Sequence, residues 1–217
     1  MYTESIGCYT LEQPDGVARP GADSLALAAF VTLKPRDRVC DLGCGGGAIA
    51  LLMLSRSPDI DVTAVDKYEL CIDTVRANAA RNGLESKLRA VQSDWGGLPA
   101  PAPLFDVTVS NPPYFSRGHG TTPPDGKRAN ARVWDAGGLD ALCHAAARIT
   151  RHGGRLAVVY PAGELVNLFA AMRARGWEPK RLRFAHHGAD KDASFVTVEA
   201  RLGGKPGLTA ERILDLL

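Results

Sequence analysis

An α/β fold, with a mostly parallel sheet and helices on both faces, is what this sequence predicts, and three observations predict it. Short apolar runs that read as buried strands, such as Val39-Cys40-Asp41-Leu42 and Val62-Thr63-Ala64-Val65-Asp66, alternate with longer stretches of helical character. Such alternation places strands side by side in parallel, with each crossover helix packed on a face. The last two strand-like runs, Lys180 to Ala185 and Ser194 to Arg201, have no helix between them, so one antiparallel strand is expected near an edge.

The first 37 residues give weak signals. Tyr9-Thr10-Leu11 reads as a short strand and Gln13-Pro14-Asp15-Gly16 as a turn. Pro20-Gly21-Ala22-Asp23-Ser24 then introduces the apolar run Leu25 to Phe30, with Asp23 or Ser24 serving either as the N-cap of a helix or as part of a turn over a cofactor. The regular pattern begins at Arg38. After the first strand comes Gly43-Cys44-Gly45-Gly46-Gly47, too rich in glycine for helix or strand, and then an apolar helix from Ala48 to Leu54 stopped by Ser57-Pro58. A helix from Tyr68 to Asn82 ends at Gly83, and a third strand covers Leu88 to Gln92. The fourth strand, Phe105 to Ser110, is halted by Asn111-Pro112-Pro113-Tyr114, because neither proline can donate to a ladder. A loop from Phe115 to Arg132 precedes a helix over about Leu139 to Ile149. His152-Gly153-Gly154 connects that helix to the strand Arg155 to Tyr160, and Glu164 to Arg175 is the last helix.

Composition narrows the class. With 217 residues and 45% hydrophobic content but no long apolar run, one core domain fits and a membrane span does not. The division expected is a cap segment over 1–37, a catalytic domain over 38–202 and a tail over 203–217. Met1 to Thr10 lacks the charged start and apolar core of a signal peptide, so a cytoplasmic location is expected. The five cysteines, Cys8, Cys40, Cys44, Cys71 and Cys143, form no Cys-x-x-Cys pair and are read as reduced thiols. A net charge of +2 announces no nucleic-acid partner by itself, so any basic surface has to come from local clustering.

The candidate site residues fall at the carboxyl ends of strands, where ligands sit in open α/β sheets. In Asp41-Leu42-Gly43-Cys44-Gly45 the glycines let backbone approach a ligand closely, yet Gly43-x-Gly45-x-x-Ala48 is equally a loose dinucleotide fingerprint. Asp66 ends the second strand, where a carboxylate can accept from both hydroxyls of a ribose or cap the following helix. Lys67, Ser93 and Asn111 complete the cofactor set. Asp94 and Trp95 offer a carboxylate to an adenine amino group and a ring to its face, and Trp95 alternatively serves as a lid. Asp41 can pair with a cationic amino-acid head group, which favours S-adenosylmethionine over a pyrophosphate that an extra carboxylate repels.

The corner after the fourth strand either is a plain turn or supplies chemistry. Asn111 Oδ1 and the Pro112 carbonyl can each accept one N–H of a planar amine, turning the nitrogen lone pair toward an electrophilic methyl, while Tyr114 stacks on the attached ring. Stacking of this kind requires a base that is single-stranded or flipped out. The same two acceptors suit a carboxamide, so adenine and a glutamine side chain are not separated at this point.

Asp41-Leu42-Gly43-Cys44-Gly45, Asp66, Asp94 and Asn111-Pro112-Pro113-Tyr114, in this order and spacing, resemble the class I S-adenosylmethionine-dependent amino-group methyltransferases. Tyr114-Phe115-Ser116-Arg117-Gly118, Pro123 to Arg128, Ala131-Arg132 and the early Pro20-Gly21-Ala22-Asp23 turn are similar to the bacterial tRNA(Val) adenine-N6 methyltransferases, over about residues 10–202. The resemblance implies a Rossmann-like, seven-stranded sheet, S-adenosyl-L-methionine as cofactor, and N6 methylation of the adenine beside the anticodon. It also implies that the loop after Tyr114 receives RNA. Arg117, Lys127, Arg128 and Arg132, against Asp125 alone, are the candidate phosphate contacts there. Where that family follows Ala-Arg with His-Glu, this chain has Val133-Trp134.

Three other readings compete. Release-factor glutamine methyltransferases share the tetrapeptide, but the Gly-rich turn here begins at residue 43 and leaves no room for their N-terminal helical domain. The remaining two are a dinucleotide-dependent oxidoreductase and a non-catalytic RNA-binding paralogue. A second basic group, Arg173, Arg175, Lys180, Arg181 and Arg183, reads more simply as solvated surface, and no Cys, Asp or Glu stands at metal-ligand spacing from His186-His187.

Overall fold

The structure, a computed structural model, describes residues 1–98, 105–113, 138–188 and 190–216. A nine-stranded sheet forms its centre. Its long strands are β3 (Arg38–Leu42), β4 (Asp61–Asp66), β5 (Leu88–Gln92), β6 (Phe105–Ser110), β7 (Thr150–Pro161), β8 (Trp177–His186) and β9 (Phe195–Leu202). Their spatial order is β8-β9-β7-β6-β3-β4-β5. The sheet begins with β3 near its middle, runs outward through β4 and β5, and its other half is built from β6 onward. All neighbours from β5 to β7 are parallel, whereas β9 is antiparallel to both β7 and β8. The antiparallel strand predicted from the missing helix is therefore present, inserted one place in from β8. No helix among the described residues is long and apolar enough to cross a membrane.

Helices α1 (Ala22–Phe30), α2 (Ala48–Arg56) and α3 (Glu69–Arg81) share one apolar cluster with Val39, Val107, Val109, Ala157 and Val159 of the sheet. Helices α4 (Gly138–Ile149) and α5 (Leu165–Ala174) share the other, with Cys40, Leu42, Leu156, Val158 and Val198. Neighbours along a strand thus enter opposite cores, as the alternation of side chains requires. This explains why the strands read as continuous apolar runs. Trp177 is wholly buried, and its indole nitrogen donates to the Cys143 carbonyl of α4 at 3.0 Å. The C-terminus of α3 closes with Leu84 N donating to Ala79 O (2.8 Å) and Gly83 N to Ala80 O (3.2 Å). Gly83 takes φ +65°, the left-handed conformation its position after the helix calls for.

Two segments differ from expectation. His152-Gly153-Gly154 does not connect a helix to a strand. Strand β7 already starts at Thr150, opposite Phe105, and pairing resumes at Arg155 opposite Val107, so four residues bulge out of one continuous strand. The residues beyond 202 are not a bare tail: β10 (Thr209–Ala210) and β11 (Leu214–Asp215) each pair in parallel with β8, extending the seven expected strands to nine. At the start of the chain β1 (Tyr2–Ile6) and β2 (Tyr9–Gln13) form a hairpin of their own.

The second basic group is absorbed by the fold. Arg173 pairs with Glu178, Arg175 with Asp140, Arg183 with Glu211, and Arg181 with Glu211 and the buried Glu199, while Lys180 donates to the Lys205 carbonyl. Glu199 also accepts from the amide and hydroxyl of Thr32, tying the end of α1 to β9. A better-buried pair joins Asp37 to Arg155 ahead of β3, with the Lys34 amide as a further donor to Asp37 at 2.7 Å. Removing one partner strands a desolvated charge. Asp37→Ala is expected to lower unfolding free energy by about 3 kcal/mol in urea titrations; a loss near zero would show the pair to be solvated.

Candidate active site

The sheet register sets the site. Asp41 of β3 lies opposite Val109 of β6, so two residues further along both strands Gly43 stands level with Asn111. On the other side Leu42 lies opposite Val65, bringing Gly43 level with Asp66, and Asp66 is opposite Gln92. Four of the predicted positions therefore share one edge. Asn111, Gly43, Asp66 and the Ser93-Asp94-Trp95 segment occupy the carboxyl ends of adjacent strands, where the strand order switches direction between the parallel neighbours β3 and β6.

The glycine turn is held by its neighbours. Gly43 N and Cys44 N both donate to the Val65 carbonyl, at 2.8 and 3.0 Å. Asp66 Oδ2 accepts from Gly45 N and its Oδ1 from Tyr68 N, each at 3.0 Å. One carboxylate thus clamps the turn and holds the amide of Tyr68, the N-cap residue of α3, although α3 itself has no side-chain cap bond. Gly43, Gly45 and Gly47 take φ +77°, +52° and +85°. A Cβ on Gly45 would meet no atom within 4 Å, while one on Gly43 would stand 3.9 Å from Trp95 Cζ2. The turn is therefore an open cradle with an indole at its side.

Beneath that cradle lies Asp41, with no accessible surface. A ligand reaches its carboxylate only if the turn moves. Neither oxygen has a hydrogen-bond partner within normal distance. Burial, with the charge of Asp66 adding to it, pushes its pKa up to about 7, and the Ala50 amide works weakly the other way. Burial likewise raises the Cys44 thiol in the turn well above its usual range, so no thiolate nucleophile is available there. Asp94 is exposed and accepts from Gly97 N at 2.6 Å; Ser93 N donates to the Asp66 carbonyl at 3.0 Å. Lys67 directs its ammonium over the Tyr68 ring, 5.0 Å from the centroid.

One part of the turn's support was not foreseen in the sequence. Asn78 of α3 donates through Nδ2 to the carbonyls of Glu12 (3.0 Å) and Gly46 (3.1 Å), and its Oδ1 accepts from Glu12 N. Asn82, one helical turn later, makes the equivalent pair with Thr10 N and O. Two carboxamides four residues apart on a helix thus act as a strand partner for β2. The hairpin is stitched to the glycine turn, where a Cβ on Gly46 would collide with Gln13. The Asn78/Asn82 spacing is the signal that was available for this. Asn78→Ala is expected to cost about 2 kcal/mol of stability, since it leaves buried carbonyls unsatisfied, and to weaken cofactor binding several-fold in calorimetric titration. Wild-type affinity in that variant would sever the hairpin from the site.

Asn111 ends β6, partly buried. Its Nδ2 donates to Asp23 Oδ2 at 3.0 Å and to Ser24 Oγ at 2.9 Å. Neither Asp23 nor Ser24 caps α1, whose N-cap is Gly21, with no side-chain bond. The capping alternative therefore gives way: these two side chains face the strand ends. Asp23 also lines a cavity of about 350 Å³ together with Ala22, Pro161, His187, Ser194 and Phe195. His186, by contrast, bonds the Gly188 carbonyl. Tyr114, Arg117, Lys127, Arg128, Arg132 and the Val133-Trp134 pair lie outside the described residues.

A parallel sheet whose strand order switches between β3 and β6, a glycine cradle and an asparagine set level with it define a class I methyltransferase architecture. Residues 19–163 match the methyltransferase small domain family, and the chain belongs to that family. Among curated relatives it is 31% identical to the tRNA1(Val) (adenine(37)-N6)-methyltransferase of Tolumonas auensis, over 96% of this chain and 86% of that one. It is 32% identical to the protein of the same name from a Flavobacteriaceae bacterium, over 88% of each. Its fold is similar to the predicted O-methyltransferase Atu636 of Agrobacterium tumefaciens, with a TM-score of 0.71 at 20% identity, covering 89% of this chain and 87% of that one. A methyltransferase from Pyrococcus furiosus gives 0.63 at 20% identity, covering 90% and 89%. The protein is an S-adenosyl-L-methionine-dependent methyltransferase. The cradle open at Gly45 and the orphaned Asp41 carboxylate beneath it fit that cofactor.

Proposed function

We propose that the protein methylates the exocyclic N6 of an adenine in tRNA, at the position beside the anticodon. The observation that carries this reading is the placement of Asn111: its carboxamide stands level with Gly43, and its amide nitrogen is turned onto Asp23 and Ser24. A carboxylate can only accept, so the carboxamide is fixed with Oδ1 on the side away from Asp23. Oδ1 and the Pro112 carbonyl then act as the two acceptors for the amine. Each takes one N–H, and the nitrogen lone pair is aimed without any strong base. The partial positive charge that develops on nitrogen meets two oxygen dipoles already in place. S-adenosyl-L-methionine, when bound, supplies the electrophilic methyl on its sulfonium. Gly43, Gly45, Asp66, Lys67, Ser93, Asp94 and Trp95 hold it, with Asp41 beneath the turn favouring a cationic head group. Tyr114 stacks on the base, and Arg117, Lys127, Arg128 and Arg132 hold phosphates.

The names of the relatives support a tRNA substrate over a glutamine side chain. A cytoplasmic location goes with that substrate, and the hairpin with α1 serves as a cap on the catalytic domain. The test is incubation with labelled S-adenosyl-L-methionine and RNA from cells lacking this protein, followed by nucleoside analysis. N6-methyladenosine in tRNA is the expected product. Label found only on protein glutamine, or nowhere, overturns the reading.

A further inference from the structure

Resting on that reading, we infer that Asp23 is a positioning residue for methyl transfer: it sets the flip state of the Asn111 carboxamide and strengthens its oxygen as an acceptor. A carboxamide has two faces of similar shape and opposite hydrogen-bonding sense. Rotated by half a turn, Asn111 would present NH2 to the substrate amine, donor against donor, and the site would repel what it has to hold. Asp23 opposes that rotation, because its Oδ2 lies 3.0 Å from Asn111 Nδ2 and a carboxylate has no hydrogen to offer the alternative rotamer.

Ser24 alone would not discriminate. Its hydroxyl, 2.9 Å from the same nitrogen, can turn to donate or accept. Asp23 is in turn fixed by its other oxygen, which accepts the Ser24 backbone amide at 2.8 Å. The whole unit sits at the start of α1, 88 residues earlier in the chain than Asn111, and Asp23 divides its two oxygens between a first-turn amide of α1 and the Asn111 carboxamide. A charge-assisted bond to Nδ2 also polarises the amide, drawing electron density toward Oδ1 on the substrate side. Both effects act on the orientation of the amine and on the charge that develops as the bond to carbon forms. They belong to the transfer step and not to the gathering of tRNA or cofactor.

The test is a set of variants assayed for single-turnover transfer to tRNA, alongside S-adenosylhomocysteine affinity and thermal unfolding. Asp23→Ala is expected to lower the transfer rate about 10²-fold, with KM for tRNA and cofactor affinity nearly unchanged. Asn111→Asp alone sets two carboxylates against each other and is expected to be at least as impaired. The double variant Asp23→Asn with Asn111→Asp restores the bond with its polarity reversed: the carboxamide, now on α1, donates, and the carboxylate, now at the end of β6, keeps an oxygen on the substrate side. It is expected to exceed Asn111→Asp by about tenfold or more. A role confined to folding predicts that the rates follow thermal stability across the set, whereas the positioning role predicts rate losses in Asp23→Ala and Asn111→Asp that exceed any loss of stability. Equal rates for the double and the Asn111→Asp variants, or an Asp23→Ala enzyme as fast as the wild type, overturn the inference while leaving the methylation reading intact. A wild-type protein that transfers no methyl to any tRNA removes both.

Discussion

Replacing Asn111 with Ala is expected to lower the single-turnover rate of methyl transfer by about 10³-fold while S-adenosylhomocysteine affinity changes by less than about threefold. The change deletes one of the two acceptors proposed for the amine and keeps everything that shapes the cradle. Gly43 and Cys44 are anchored to Val65, and Gly45 to Asp66, none of which depends on the carboxamide. The backbone corner survives too, because Pro112 and Pro113 fix it whatever side chain precedes them. Asp23 and Ser24 lose a shared donor at a partly buried position, a loss of about 1 kcal/mol that thermal unfolding will register without threatening the fold. The diagnostic is the split between the two measurements. An amine held by the Pro112 carbonyl alone can still approach, but its lone pair is no longer aimed, and the penalty falls on the rate. Unchanged turnover would take Asn111 out of the mechanism, and a matching collapse of cofactor affinity would make it a structural residue of the cradle.

What could be read in advance, and what could not, divides along a physical line. The central strands were legible because burial on both faces writes them as unbroken apolar runs with glycine or proline punctuation. Residues at their carboxyl ends were legible because the parallel topology forces those ends to one edge. Hence Asn111, Gly43 and Asp66 fell level, as expected from spacing alone. The readings that changed concern side chains whose partners are distant in sequence. Asp23 and Ser24 carry the local marks of a helix cap, and the β6 corner, brought near by the sheet, supplies the Asn111 carboxamide as a donor to both side chains. For Asp41, bordering the turn, the sequence suggested a place beside the ligand, and strand alternation sets it beneath the turn. The basic group from Arg173 to Arg183 looked like free charge because Asp140, Glu199 and Glu211 lie 18 or more residues away from the arginines they meet. The hairpin β1–β2 gave weak signals since much of its support comes from Asn78 and Asn82 of a helix, not from a neighbouring strand. The bulge in β7 was read as a connection because glycines mark both.

A glycine turn built over a buried acid has a consequence for stability. Asp41 is expected to make the ligand-free protein less stable as pH rises from about 4 to about 8, by on the order of 4 kcal/mol. The direction follows from which form the fold prefers. In the unfolded chain the carboxyl ionises near 3.8, whereas burial holds it neutral up to about 7 in the folded protein. The folded state therefore binds the extra proton over that interval. Its contribution is intact below the unfolded pKa and is lost progressively as pH climbs through the folded one. Asp41→Asn has no proton to lose, so subtracting its urea-unfolding free energy from the wild type's at each pH cancels the histidines and surface carboxylates and leaves this one group. The difference is expected to move against the wild type between pH about 4 and about 8; a flat difference would mean the carboxylate is solvated or paired. Binding provides the complementary arm. A ligand bearing an ammonium favours the ionised acid nearby, so wild-type affinity for S-adenosylhomocysteine should tighten as pH passes through about 7, and that of Asp41→Asn should not. The same proton that stabilises the empty cradle is then the one that cofactor binding displaces, which couples occupancy of the glycine turn to the charge beneath it.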